Sequence, residues 1–165
     1  MSDRLSRRRY LAGTGAALTS GALAGCSGGG SNEVDAVDGP AVEDVPTEID
    51  EYLADARLYD GTIVDATGRD EITVAVGAGD AGLAFSPAAV RVDTGTNVVW
   101  EWTGSGGTHN VASVDGSDAA FDSGGAVTGA GTTFERTFDA PGVQLYHCTP
   151  HQSSGMLAAV EVVEA

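Results

Sequence analysis

The chain has 165 residues, enough for one globular domain with extensions, since single domains usually run to about 100–150 residues. It carries 24 acidic residues against 8 basic ones, and every basic residue is an arginine. Nucleic acid is excluded as a partner, because phosphate binding needs concentrated Lys and Arg and this surface repels polyanions.

Four of the arginines, Arg4, Arg7, Arg8 and Arg9, precede a mildly apolar run from Leu11 to Gly25 that ends at Cys26. The run is too short and too rich in Gly, Ala and Ser to span a bilayer, so residues 1–25 read as an export signal. Within it, "SRRRYL" resembles the twin-arginine address that passes folded cargo. "LAGC", Leu23 to Cys26, resembles the lipobox of lipoproteins, which implies that Cys26 is acylated and becomes the mature N-terminus. Without residues 1–25, 23 acidic residues face four arginines, a formal charge of −19. Such an excess without lysine fits a halophilic source, where salt screens self-repulsion and carboxylates hold a hydration layer. With Cys26 lipidated, Cys148 has no intrachain partner, and its thiol is left for chemistry or burial.

Residues 26–46 are Gly/Ser-rich, then acidic, with Pro40 and Pro46. Their apolar content is too low to fold, and they read as a flexible tether to the membrane. In the segment 47–60, Ile49, Tyr52, Leu53 and Ala56 fall at i, i+3, i+4 and i+7, with Thr47 as N-cap and Gly61 beyond the end. This predicts one short packing helix over about residues 48–58. From Gly61 to Ala165 the texture changes to short runs of Val, Thr and aromatics cut by Gly, Asp and Pro. Strands are expected at 62–65, 71–77, 88–93, 96–103, 109–114, 132–139, 143–148 and 157–163. In "TNVVWEWTG", Val98, Trp100 and Trp102 share one face, the alternation of a half-buried strand with core aromatics. About eight such strands predict an all-β sandwich or barrel.

The inventory of soft or imidazole ligands is small: three histidines, Cys148, Met156 and the initiator Met1 beside Cys26. "HCTPHQSSGM", His147 to Met156, holds most of it. Cys148 stands at a strand end, Pro150 bends the chain, and His151 and Met156 return toward the same point. A further histidine must come from elsewhere, and His109, after the turn "TGSGGTHN", is the one outside the loop. A thiolate, two imidazoles and a weak thioether make the donor set of blue copper. His147 alternates with Cys148 along the strand, so it points to the opposite face and is no ligand. An ordinary strand histidine competes there with a role at an electron-exit surface or as a local pH modulator. A thiol hydrolase using Cys148 with His151 would need an oxyanion hole, which nothing marks. A copper oxidase would need far more histidines.

The stretches "GLAFSPAAVRVDTGTNVVWEW", "GGTHNV", "TTFERTF", "PGVQLYHCTPHQSSGM" and "AAVEVV" together resemble the cupredoxin domain of the plastocyanin type, most closely its halocyanin group, over most of residues 61–165. The resemblance implies a Greek-key β-sandwich with one type 1 copper ion held by His109, Cys148, His151 and Met156. It also implies that Asn110 ties the two ligand loops together through Thr149. Departures are Thr108, where plastocyanins often have proline, and His147, where an aromatic is usual. The function implied is a non-enzymatic, monomeric electron carrier, lipid-anchored on the extracytoplasmic face of the membrane. It would cycle Cu(I)/Cu(II) between transient donor and acceptor redox proteins. Copper delivery or storage would use the same ligands and is the alternative.

Overall fold

A computed structural model describes residues 33–165. The export signal (1–25), Cys26 and the first part of the tether lie outside the described residues. Two sheets face each other. The larger has the order β1 (Ala41–Val42), β2 (Ile63–Asp65), β5 (Ala89–Asp93), β10 (Leu157–Val163), β9 (Gly142–His147) and β7 (Ala112–Ser113). The smaller has the order β4 (Ala84–Ser86), β3 (Glu71–Ala78), β6 (Asn97–Trp102) and β8 (Thr133–Thr137). Parallel pairs β2–β5, β5–β10 and β3–β6 are mixed with antiparallel ones. The chain passes repeatedly from sheet to sheet, and the expected all-β sandwich is the fold.

The core between the sheets follows the alternation read along β6. Val98, Trp100 and Trp102 are buried while Glu101 is half-exposed. Trp100 packs on Phe121, Phe134 and Tyr146, with ring centroids 5.4–5.6 Å apart. These large aromatics fill the centre, where each removes a large apolar area from water.

A second apolar cluster covers the outer face of the larger sheet. Ile49, Leu53 and Ile63 pack there on Ala89, Leu145 and Ala159. The helix α1 that supplies Ile49 runs only from Thr47 to Tyr52, not to residue 58, and its N-cap is Pro46 without a side-chain bond, not Thr47. The predicted apolar stripe does face the sheet, for Tyr52, Leu53 and Ala56 all join this cluster. The helix stops early because the following backbone bonds elsewhere: Arg57 N–H donates to the Gly155 carbonyl at 2.8 Å.

The segment expected to be a free tether up to residue 46 is docked in its second half. Ala41 and Val42 pair with Val64 and Ile63, Val37 N–H donates to Thr73 O, and Val42 and Val45 pack on the second cluster. Two strands, β1 and β4, are additional to those expected. The run 109–114 contains only the two-residue β7, flanked by isolated bridges His109–Val127 and Ala112–Asp122. Strands β6 and β9 both end at the same end of the sandwich, which is where the ligand-bearing loops begin.

Candidate metal centre

The loop between β9 and β10 has little freedom. Leu157 pairs with His147 across the two strands, so the intervening residues must reverse the chain. They do so as a short 3-10 helix, Thr149–Ser154, with Pro150 near its start and Gly155 in the left-handed region, φ 82°, at its end. Proline suits the first helical turn, where its missing N–H is no loss, and glycine suits the left-handed exit. Four backbone bonds close the turn on itself: Cys148 N–H to Met156 O (3.1 Å), His151 N–H to Cys148 O (3.1 Å), Gly155 N–H to Gln152 O (3.0 Å) and Met156 N–H to His151 O (3.3 Å). The loop is thereby fixed at each residue proposed from the sequence as a ligand.

His109 arrives from the other side. Its backbone exchanges two bonds of 2.9 Å with Val127, and its carbonyl accepts from Trp102 Nε1 at 3.0 Å. Its ring Nε2 lies 2.7 Å from the Ser105 carbonyl. A carbonyl can only accept, so Nε2 carries the proton and Nδ1 presents its lone pair. Burial holds this imidazole below the usual histidine range, with the Ser105 carbonyl acting the other way and His151 adding to the depression. The ring is thus kept neutral, the form a metal binds.

The two loops meet in a triangle of donor atoms. Cys148 Sγ is 3.6 Å from His109 Nδ1 and 3.5 Å from His151 Nδ1, and the two nitrogens are 3.2 Å apart. The point equidistant from all three lies about 2.0 Å from each, within the usual range for metal–nitrogen and metal–sulfur bonds of about 2.0–2.3 Å. A single ion therefore fits without rearrangement of the protein. Among the described residues this is the one cluster of histidine, cysteine and carboxylate groups that could hold a metal. Its soft sulfur and imidazoles, with no carboxylate, favour copper over hard cations. Met156 is wholly buried in the same core cluster as Cys148.

The thiol is tuned from two directions. Burial pushes the Cys148 thiol up, while main-chain N–H groups of Asn110 and His151 directed at the sulfur pull it down. The loops are also tied directly. Thr149 N–H donates to Asn110 Oδ1 at 2.8 Å, and Asn110 Nδ2 donates to Thr149 Oγ1 at 3.1 Å. This is the bridge the resemblance implied for Asn110 and Thr149.

His147 stands apart from the triangle. It is half-buried on the outer face, its Nε2 3.4 Å from Thr149 Oγ1. Burial lowers its pKa, against the attraction of Asp122. Thr108 is exposed, and the loop behind it is held by the Ser105 and Val127 contacts. Ser105 was not singled out from the sequence. It acts through its backbone carbonyl, and side-chain identity carries no signal for that.

The family of copper binding proteins described as plastocyanin/azurin matches residues 72–163. The chain belongs to the plastocyanin/azurin family. Halocyanin of Natronomonas pharaonis is 51% identical over 160 residues, 96% of this chain and 98% of that one. Chloroplastic plastocyanin of Pisum sativum is 33% identical over 99 residues, 55% of this chain and 58% of that one. Among solved structures, a purple cupredoxin from Nitrosopumilus maritimus superposes with a TM-score of 0.45 at 26% identity, covering 55% of this chain and 98% of that one. As a cupredoxin with this His-Cys-His cluster, the protein binds one copper ion and is a blue copper electron carrier.

Proposed function

We propose that this carrier works at the extracytoplasmic face of the membrane, anchored through a lipid on Cys26, with His109, Cys148, His151 and Met156 as its copper ligands. The observation that carries the ligand assignment is the donor triangle, two of whose members, His109 and Cys148, are fully buried while His151 keeps an edge toward solvent. Bound copper supplies a one-electron couple, with sulfur donors suiting Cu(I) and imidazoles serving Cu(II).

Each residue then has a defined task. His109 is oriented by Ser105 and offers Nδ1. Cys148 offers the thiolate, and metal binding drives off its proton. Met156, buried in the same core cluster as Cys148, would offer its thioether sulfur as a weak further ligand. His151, which keeps an edge toward solvent beside the exposed Pro150, would join the held copper to the surface and is where a redox partner would dock. Redox proteins are the partners of this monomer, and their docking is brief, since a carrier must release quickly. Ala84 and Phe85 of β4 are buried, so the surface is built around His151 and Pro150 without them.

The copper-loaded protein is expected to show an intense visible absorption band and the narrow copper hyperfine splitting of a blue site in EPR. One equivalent of a one-electron reductant should bleach the band, and reoxidation should restore it. A colourless protein that gives up Cu(I) readily to an acceptor would point to copper delivery instead. For the anchor, the protein expressed in a host that acylates lipoproteins is expected to partition into detergent. Its Cys26→Ser variant should stay in water. Equal partitioning of the two would sink the anchor.

A further inference from the structure

The segment from the last residue of α1, Tyr52, to Arg57 lies outside the family match at residues 72–163, yet it holds the ligand loop at both of its ends. On the incoming side, Tyr52 Oη–H donates to the Tyr146 carbonyl at 3.0 Å, two residues before Cys148. On the outgoing side, Arg57 bonds twice: its backbone N–H to Gly155 O at 2.8 Å and its Nε–H to Ser154 O at 2.7 Å. These carbonyls immediately precede Met156. Gly155 is pressed by the same segment, since a Cβ there would lie 2.6 Å from Asp55 O.

We propose that Arg57 is a positioning residue for the copper. By holding the Ser154 and Gly155 carbonyls from outside, it fixes the backbone between His151 and Met156 and so the placement of both ligands. The inference rests on the copper reading above. Its physical basis is that the carbonyls at a helix C-terminus have no donors within the helix and must find them elsewhere. The guanidinium also brings positive charge, so a charge effect must be separated from a positioning effect. Glutamine does this, because its Nε2–H2 can occupy the place of the arginine Nε–H without the charge. Leucine keeps the bulk and removes both.

In copper-loaded full-length protein, Arg57→Leu is expected to lose Cu(II) to excess EDTA about threefold to tenfold faster, the factor set by one hydrogen bond. It should also change the EPR hyperfine splitting and shift the reduction potential. Arg57→Gln should stay close to the parent in all three. Leucine and glutamine variants that differ equally from the parent would overturn positioning in favour of charge. A leucine variant identical to a blue parent would overturn the proposal outright. A parent with no blue spectrum would instead defeat the copper reading on which it rests.

Discussion

Replacing Cys148 by serine is expected to abolish the blue absorption completely and to weaken Cu(I) retention by orders of magnitude, while the fold survives. The sulfur is the one soft donor in the triangle, and the other two corners are imidazole nitrogens. Oxygen in its place is hard, holds its proton far more tightly than a thiol, and gives no low-energy sulfur-to-copper charge transfer. The fold should hold because cysteine and serine are nearly isosteric. A hydroxyl at this fully buried position costs about 1–3 kcal/mol. Absorption and EPR of the copper-loaded variant, with a denaturant melt of the apo form, measure both halves. A retained intense band would remove Cys148 from the ligand set. Loss of the fold would mean that the residue serves mainly in packing.

The centre was legible because the chain has so few candidate ligands. With three histidines and one cysteine in the globular part, the pattern at Cys148 and His151 left His109 as the remaining imidazole. The triangle at 3.2–3.6 Å brings those residues together. Alternation likewise placed Trp100 inside and His147 on the face opposite Cys148. Other features have no local signature. Strands β1 and β4 are two and three residues long, and they exist because a neighbour offers a free edge. Helix α1 is shorter than its apolar period because Arg57 N–H finds Gly155 O, a partner almost a hundred residues away in sequence. Ala41 and Val42 lie in an acidic, proline-flanked stretch whose composition reads as unfolded, yet their pairing with Ile63 and Val64 needs only backbone and two small apolar side chains. For β1 and α1 the deciding partner is distant in the chain, and tertiary contact overrides local propensity.

Gly77 shows the same limit at the site itself, and its replacement by alanine is expected to damage stability and copper binding together. From the sequence it is the end of a strand. In the fold its φ is 88°, and a Cβ would lie 2.7 Å from the Ser105 carbonyl, 2.8 Å from Thr103 Oγ1 and 3.2 Å from His109 Nε2. The first of these atoms is the acceptor that fixes the His109 tautomer, and Thr103 Oγ1–H itself donates to Gly77 O at 2.8 Å. Alanine must therefore push the Ser105 loop outward or leave its backbone conformation, and either move breaks the bond to His109. Left-handed strain of about 1–2 kcal/mol and a lost hydrogen bond at the buried His109 ring of about 1–3 kcal/mol together predict a loss of about 2–5 kcal/mol. Gly68→Ala separates the two contributions, since Gly68 has φ 78° but nothing within 4 Å of its Cβ position. It should lose only the strain and bind copper as the parent does. Denaturant unfolding of both apo variants and competition of the copper-loaded forms against a chelator give the comparison. If Gly77→Ala matched Gly68→Ala in both measurements, the space at Gly77 would have no part in holding His109.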